Sequence, residues 1–151
     1  MSPALGAVTF YDKQRKAMTN RAELFSFLGA ESTAPNFFER VSDTVQWTVM
    51  GTHPLAGLYR TKQAFFEATF AVLPALMEDG LTLHVEQFHD AGDFGIVELR
   101  ARATTLEGVP FDNRYCWVCR FENDVIVEVR AYLDSAMVAY AIGRGRATTN
   151  R

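Results

Sequence analysis

Four groups of residues have types and spacings suited to chemistry. His53 sits in the run Gly51-Thr-His-Pro-Leu-Ala-Gly57, and an imidazole that titrates near neutrality suits proton transfer. Glu98 and Arg100 are two apart, so a strand would point both to one face. Glu98 is then the one strong base within the strands, and Arg100 is a partner that would keep it ionised or a donor to a developing oxyanion. Asn113, Tyr115, Trp117 and Cys119 share the face of another strand, with Tyr115 a second oxyanion donor and Asn113 a group that orients a substrate. Cys116 and Cys119 form a Cys-x-x-Cys, the spacing of a redox dithiol or half a zinc site. Residues three apart on a strand face opposite ways, so these two sulfurs diverge. No second cysteine pair completes a zinc site, and no histidine pair has ligand spacing with a carboxylate, so neither a metal nor a cofactor is indicated. Each candidate also has a structural reading. Glu98, Arg100 and Arg102 can alternate outward into solvent or an interface, and His53 can be a loop histidine bonded to backbone.

The elements that position these residues centre on 108–134. Tyr115 to Phe121 is aromatic-rich and Val125 to Leu133 is rich in β-branched residues, the composition of two paired strands. Glu122-Asn-Asp124 supplies the turn, because Asn and Asp tolerate left-handed backbone angles. Asp134 then opens a terminal helix as its cap.

Upstream, residues 1–19 read as a lead-in. Asn20 with Glu23 resembles a capping box for a helix ending at Gly29, with Leu24, Phe25 and Leu28 on one face. Ser32 or Thr33 caps a short helix carrying Pro35 in its first turn and burying Phe37 and Phe38. Thr44 to Met50 alternates, with Val45, Trp47 and Val49 on one face and Thr44, Gln46 and Thr48 on the other. Thr61 caps a helix expected over 62–78, kinked at Pro74. Strands follow at 81–89 and 94–105. Helices first and an antiparallel meander last indicate one α+β domain over 20–142, and 143–151 reads as a disordered tail.

Composition narrows the function classes. The 151 residues fit a single core, with 48% apolar and 22% charged residues. A net charge of −3 and a pI near 5.6 leave no basic stripe for nucleic acid. No apolar run is long enough to cross a membrane, and Met-Ser-Pro-Ala-Leu-Gly lacks the pattern of a signal peptide, so a cytoplasmic setting is expected. The 12 phenylalanines fill a core or line a pocket for an apolar ligand.

Three stretches carry a resemblance: Ser42-Asp-Thr-Val-Gln-Trp47 running into Gly51–Tyr59, the helix opening Thr61-Lys-Gln-Ala-Phe-Phe66, and Asn113-Arg-Tyr115 through Asn123–Asp134. With the element order, they make the chain similar to the SnoaL-like branch of the nuclear transport factor 2-like superfamily, which includes ketosteroid isomerases, polyketide cyclases, scytalone dehydratase and limonene epoxide hydrolase. The resemblance implies a cone-shaped, curved, mostly antiparallel sheet wrapped around the helices, as in the cystatin-like roll. It also implies a homodimer and a small apolar, aromatic or polyketide-like substrate. Family carboxylates are missing: the isomerase base falls near Thr48, the isomerase and cyclase acid near Trp117. The hydrolase Arg-x-Asp falls on Glu98-Leu-Arg100 in reversed order, and its second Asp near Ala131. The expectation is a cone in which His53, Glu98, Tyr115 and Arg100 do acid/base chemistry. Trp47, Thr48, Tyr59, Phe66, Phe88, Asn113, Trp117 and Tyr132 would contact the substrate. Isomerisation, cyclisation, dehydration and epoxide opening all suit such a site. A non-catalytic ligand-binding or dimerisation module of the same fold is the alternative.

Overall fold

The computed structural model describes residues 20–149, with side chains through residue 143; the expected lead-in over 1–19 lies outside these residues, as do 150 and 151. The anchor is the long hairpin of β5 (Pro110–Glu122) and β6 (Val125–Leu133). Asn123 and Asp124 both take positive φ, 49° and 64°, the combination whose twist suits a two-residue hairpin turn. Arg40 holds this turn from outside: its Nε donates to Asp124 O at 3.0 Å, and its carbonyl accepts from Ile126 N at 2.8 Å.

Six strands form one sheet in the order β2-β1-β6-β5-β4-β3. The meander of β3 (His84–Ala91), β4 (Phe94–Thr104), β5 and β6 is antiparallel, as expected. β1 (Val41–Val49) joins it by a parallel pairing with β6, through Gln46↔Glu128 to Val49↔Ala131. β2 (Gly57–Tyr59) adds a short edge within a region read as loop. Irregular register between Val41 and Gln46, Val85 and Gln87, and Arg120 and Phe121 sharpens the twist, so the sheet curls.

Alternation decides which side of each strand enters the curl. Val45, Trp47 and Val49 on β1, and Val97, Leu99 and Ala101 on β4, are buried. On β5 the same holds for Phe111, Asn113, Tyr115, Trp117, Cys119 and Phe121. Their neighbours face outward and pair among themselves, as in Arg114–Glu86 and in Arg120 with Glu122 and Glu128. The inner face is covered by α1 (residues 20–26), the turn Phe27–Gly29, α2 (Ala34–Phe38), α3 (Lys62–Ala68) and α4 (Ser135–Thr149). Phe25 and Phe37 meet at 5.5 Å, Phe37 reaches Trp117 at 6.1 Å, and Phe65 stacks on Trp47 at 3.8 Å. No helix among the described residues is long and apolar enough to cross a membrane.

Several element boundaries differ from expectation. The helix expected over 62–78 ends at Ala68. Thr61 does cap it, accepting from Ala64 N at 3.0 Å, but Thr69 leaves helical geometry at φ −120° and ψ −68°. Thr69 N and Oγ1 both donate to Phe65 O, at 3.0 and 2.8 Å, and Pro74 opens a separate 3-10 turn, Pro74–Leu76. β3 starts at His84 because Leu83 N bonds Leu28 O, outside the sheet. Thr33 occupies the cap position of α2, but its hydroxyl donates to Phe27 O at 2.7 Å. Asn20 is already helical and so is not the cap of its helix. Asp134 does cap α4, accepting from Met137 N at 3.1 Å, and that helix continues to Thr149 through most of the stretch read as a tail.

The left-handed turn makes a direct test. Asn123→Val is expected to cost about 1–2 kcal/mol in urea denaturation, the penalty of an L side chain at positive φ, whereas Asn123→Gly keeps wild-type stability.

Candidate functional site

The curled sheet and its helical cover enclose a cavity. Trp47, Tyr115 and Trp117 form its floor, Phe65, Phe70 and Leu73 its roof, and His53, Leu55 and Val138 lie around it. Counted out to its mouth it holds about 570 Å³ of atom-free space, of which about 60 Å³ is wide enough for the centre of a water molecule. The outer figure is on the scale of small-molecule sites, while the inner one describes a narrow slot that admits one small unit. Among the described residues, no carboxylate, lysine or arginine lines it.

Polar atoms in this apolar setting are few and specific. Trp47 Nε1, Asn113 Nδ2 and Tyr115 Oη are buried without a hydrogen-bond partner among the described residues. Asn113 Oδ1 accepts from Asp134 N at 3.0 Å, which orients the amide and leaves Nδ2 as its free donor. Burial holds the Tyr115 phenol well above its ordinary range; the Asn113 side chain opposes that rise without meeting hydrogen-bond geometry. All three groups donate hydrogen bonds, and each buried donor left unpaired costs about 1–3 kcal/mol. An acceptor oxygen on a ligand would relieve that cost.

His53 is 5% exposed and borders the cavity, but both ring nitrogens are taken. Nδ1 accepts from Leu55 N at 3.2 Å, so Nε2 carries the proton and donates it to Met50 O at 3.1 Å. The imidazole braces its own loop. Gly51, at φ +115°, lets the loop fold this tightly: a Cβ there would come within 3.0 Å of His53 Cδ2 and 3.2 Å of Ser135 Cβ.

The expected partners Glu98 and Arg100 lie on the opposite face of the sheet, outside the cavity. Glu98 Oε2 pairs with His89 Nε2 at 2.8 Å, and Arg100 binds Asp112 through two bonds of 2.8 and 2.6 Å. The Arg100 hydrogen bond holds the Asp112 carboxyl below its ordinary pKa. The reason is period two: the apolar set Val97, Leu99 and Ala101 takes the inner face, and Glu98 and Arg100 take the other. Thr48 faces outward between Trp47 and Val49 for the same reason, and Tyr132 is 45% exposed. Tyr59 spends its hydroxyl on Leu55 O at 2.7 Å and sets its ring against Phe65. Phe88 packs on Phe25 away from the cavity, and Phe66 is 45% exposed in a separate hollow. Of the expected set, Trp47, Tyr115 and Trp117 line the cavity, with His53 beside them and Asn113 next along the same strand face.

The fold has counterparts among solved structures. An NTF2-like protein from Burkholderia thailandensis superposes with a TM-score of 0.66 at 28% identity, covering 78% of this chain and 92% of that one. The chain has the fold of the nuclear transport factor 2-like proteins. TerC, crystallised with polyporic acid, shares the fold at a TM-score of 0.66 and 19% identity, covering 82% of this chain and 96% of its own. In sequence, the chain is 30% identical over 105 residues to the dimerizing cyclase phiC of a Fungal sp. (strain ATCC 74256), covering 67% of the chain and 46% of that protein. It is 29% identical over 94 residues to the dimerizing cyclase tstC of Talaromyces stipitatus, covering 60% and 42%. It therefore spans less than half the length of these curated relatives. No family model matches it.

Within the NTF2-like fold, the roof is the part that sequence reasoning missed. Phe65 and Leu73 fall in the helical spacing that marked buried positions, a usable signal. Phe70 carried none, because it points inward only once the helix has ended. No cluster of three or more His, Cys, Asp or Glu among the described residues could hold a metal. Cys119 is fully buried and Cys116 half-buried on the other face, so the pair does not act as a dithiol. Burial raises both thiols, most strongly Cys119.

Two measurements check this arrangement. Glu98→Gln and Arg100→Met are expected to change ligand affinity by less than about 2-fold in calorimetry, because neither side chain reaches the cavity. The folded pKa values of Tyr115 and Cys119 lie above their ordinary values of 10.0 and 9.0, so the native state holds protons that the unfolded chain releases. Stability is then complete below about pH 9 and falls as pH rises beyond it. The urea midpoint should drop from pH 8 to 11, and drop less steeply in Tyr115→Phe and Cys119→Ala.

Proposed function

We propose that the chain is a cyclase-type enzyme acting on a small, largely apolar molecule that carries a carbonyl oxygen. The carrying observation is that Tyr115 Oη and Trp47 Nε1, on two side chains lining a largely apolar cavity, are buried donors without a partner among the described residues, with Asn113 Nδ2 a third such donor next along the Tyr115 strand face. Closing a ring onto a carbonyl moves negative charge onto its oxygen. A preorganised donor in a dry site stabilises that charge far more than water does. Burial keeps the Tyr115 phenol protonated at any ordinary pH, so it stays a donor throughout. Narrow walls of Trp47, Phe65 and Trp117 hold the reacting ends together, and such confinement supplies much of the barrier reduction in an intramolecular closure. The step is redox-neutral, so its atoms balance within the substrate: one bond forms at the carbonyl carbon, and the oxygen takes up the proton released from the attacking group.

The similarity to two dimerizing cyclases supports the reaction class. The homodimer and cytoplasmic setting expected from the sequence belong to the same proposal. Polyporic acid, named with TerC, is a first probe for the cone. A second reading, a binding module without turnover, is favoured by one observation: among the described residues no carboxylate lines the cavity, and both His53 nitrogens are engaged.

One experiment separates the two. Native mass spectrometry of the freshly purified chain is expected to show a bound small molecule, which then serves as substrate or product. Tyr115→Phe should lower its turnover by about 10²–10³-fold in kcat, the usual cost of losing an oxyanion donor. Binding without any turnover by the wild-type chain would establish the module instead.

A further inference from the structure

A second hollow lies behind the roof of the cavity. It is bounded by Leu28, Phe38 and Phe66, with Glu31, Glu39 and Lys62 among its polar members. Counted out into the open solvent at its mouth it holds about 1060 Å³ of atom-free space, and about 480 Å³ of this takes the centre of a water molecule, against about 60 Å³ in the cone. Phe70, Pro74 and Leu81 line both spaces. The partition is therefore one side chain thick. It belongs to the stretch between α3 and β3, where turns replace helix and Met77↔Thr105 is an isolated bridge to the sheet.

The hollow has its own chemistry. Phe66 lies half in water, edge-on to Phe38 at 5.7 Å and nearly parallel to Phe70 at 6.1 Å and 16°. An exposed ring so placed offers an apolar face to a planar guest. Lys62 does not make the hollow an anion site: its ammonium donates to Phe38 O at 3.0 Å and Val41 O at 3.1 Å and forms an ion pair with Asp43 Oδ1 at 3.2 Å. The other charges lining it are the carboxylates of Glu31 and Glu39, which disfavour an anionic guest.

We propose that cone and hollow are two compartments of one binding site, and that its ligand is an uncharged molecule of two ring-sized apolar units. One unit sits in the cone with its carbonyl at Tyr115, the other lies against Phe66, and Phe70 turns aside at the junction. The proposal rests on the reading of the cone as a carbonyl-binding site and names the substrate class of that site. The narrow slot is too small for a two-unit molecule, and the adjoining space that continues it is the wider of the two.

Two ketones test it by calorimetry against the full chain: acetophenone, with one ring, and 4-acetylbiphenyl, with two. Phe66→Ala removes the outer ring. Ala30→Trp fills the hollow from an exposed position in extended backbone, φ −147° and ψ 144°. Both variants are expected to weaken 4-acetylbiphenyl by about 10-fold or more, the worth of one buried ring, and acetophenone by less than about 2-fold. Thermal melts confirm that each variant folds, and Ala30→Trp decides if Phe66→Ala does not. Equal losses for both ketones, or no loss for the biphenyl, would overturn the two-compartment site while leaving the cone intact. Failure of both ketones to bind the wild-type chain would overturn the reading of the cone, and this inference with it.

Discussion

The architecture depends on the parallel pairing of β1 with β6. Without it the chain is a four-stranded meander with helices at either end, and Trp47 has no fixed relation to β5. With it, Trp47 stands beside Val129 in the ladder and across from Trp117, at 5.1 Å and nearly perpendicular. The Trp47 face then receives Phe65 from α3 at 3.8 Å, a stacked pair of the kind worth about 0.5–1.5 kcal/mol beyond its buried area. Floor and roof of the cavity are thus joined through one indole.

The same pairing explains why the interior stays apolar. A sheet curled over helices has one dry face, and a charge placed there must be paired or neutralised. This chain puts every ion pair given by Glu98, Arg100, Arg114 and Arg120 on the outer face. The polar groups that remain at and beside the cavity, among the described residues, include a tyrosine kept protonated by burial, an asparagine oriented by Asp134 N, an indole N–H and a histidine bound to its own loop. Such an interior polarises an oxygen better than it abstracts a proton. Its missing carboxylates are therefore consistent with a reaction driven by confinement and carbonyl polarisation.

The roof is built differently from the floor. The floor lies on ladder-bonded strands, whose alternation holds side chains in place. The roof beyond Ala68 hangs on turns: Thr69 bonding back to Phe65, the 3-10 turn at Pro74 and the lone bridge at Met77. A rigid floor carrying the polar groups under a less constrained roof is an arrangement that positions chemistry while allowing a ligand to enter.

Local patterns alone determined the hairpin with its Asn123-Asp124 turn, the Thr61 and Asp134 caps, the meander order and the grouping of Asn113, Tyr115, Trp117 and Cys119 on one face. These follow from period and turn chemistry within a few residues. The pattern on β4 also held the answer for Glu98 and Arg100, since Val97, Leu99 and Ala101 form the more apolar set; a search for a catalytic carboxylate outweighed it. Three things were decided only by the tertiary structure. Helix α3 stops at Ala68, where Thr69 leaves helical geometry, and Pro74 opens a separate turn, although apolar spacing continues to Met77. His53 is engaged at both nitrogens because its loop closes over it. The cavity exists because a bulged, twisted sheet and a broken helix fail to fill the space between them, and volume is a property of the assembled surfaces that no run of residues encodes locally.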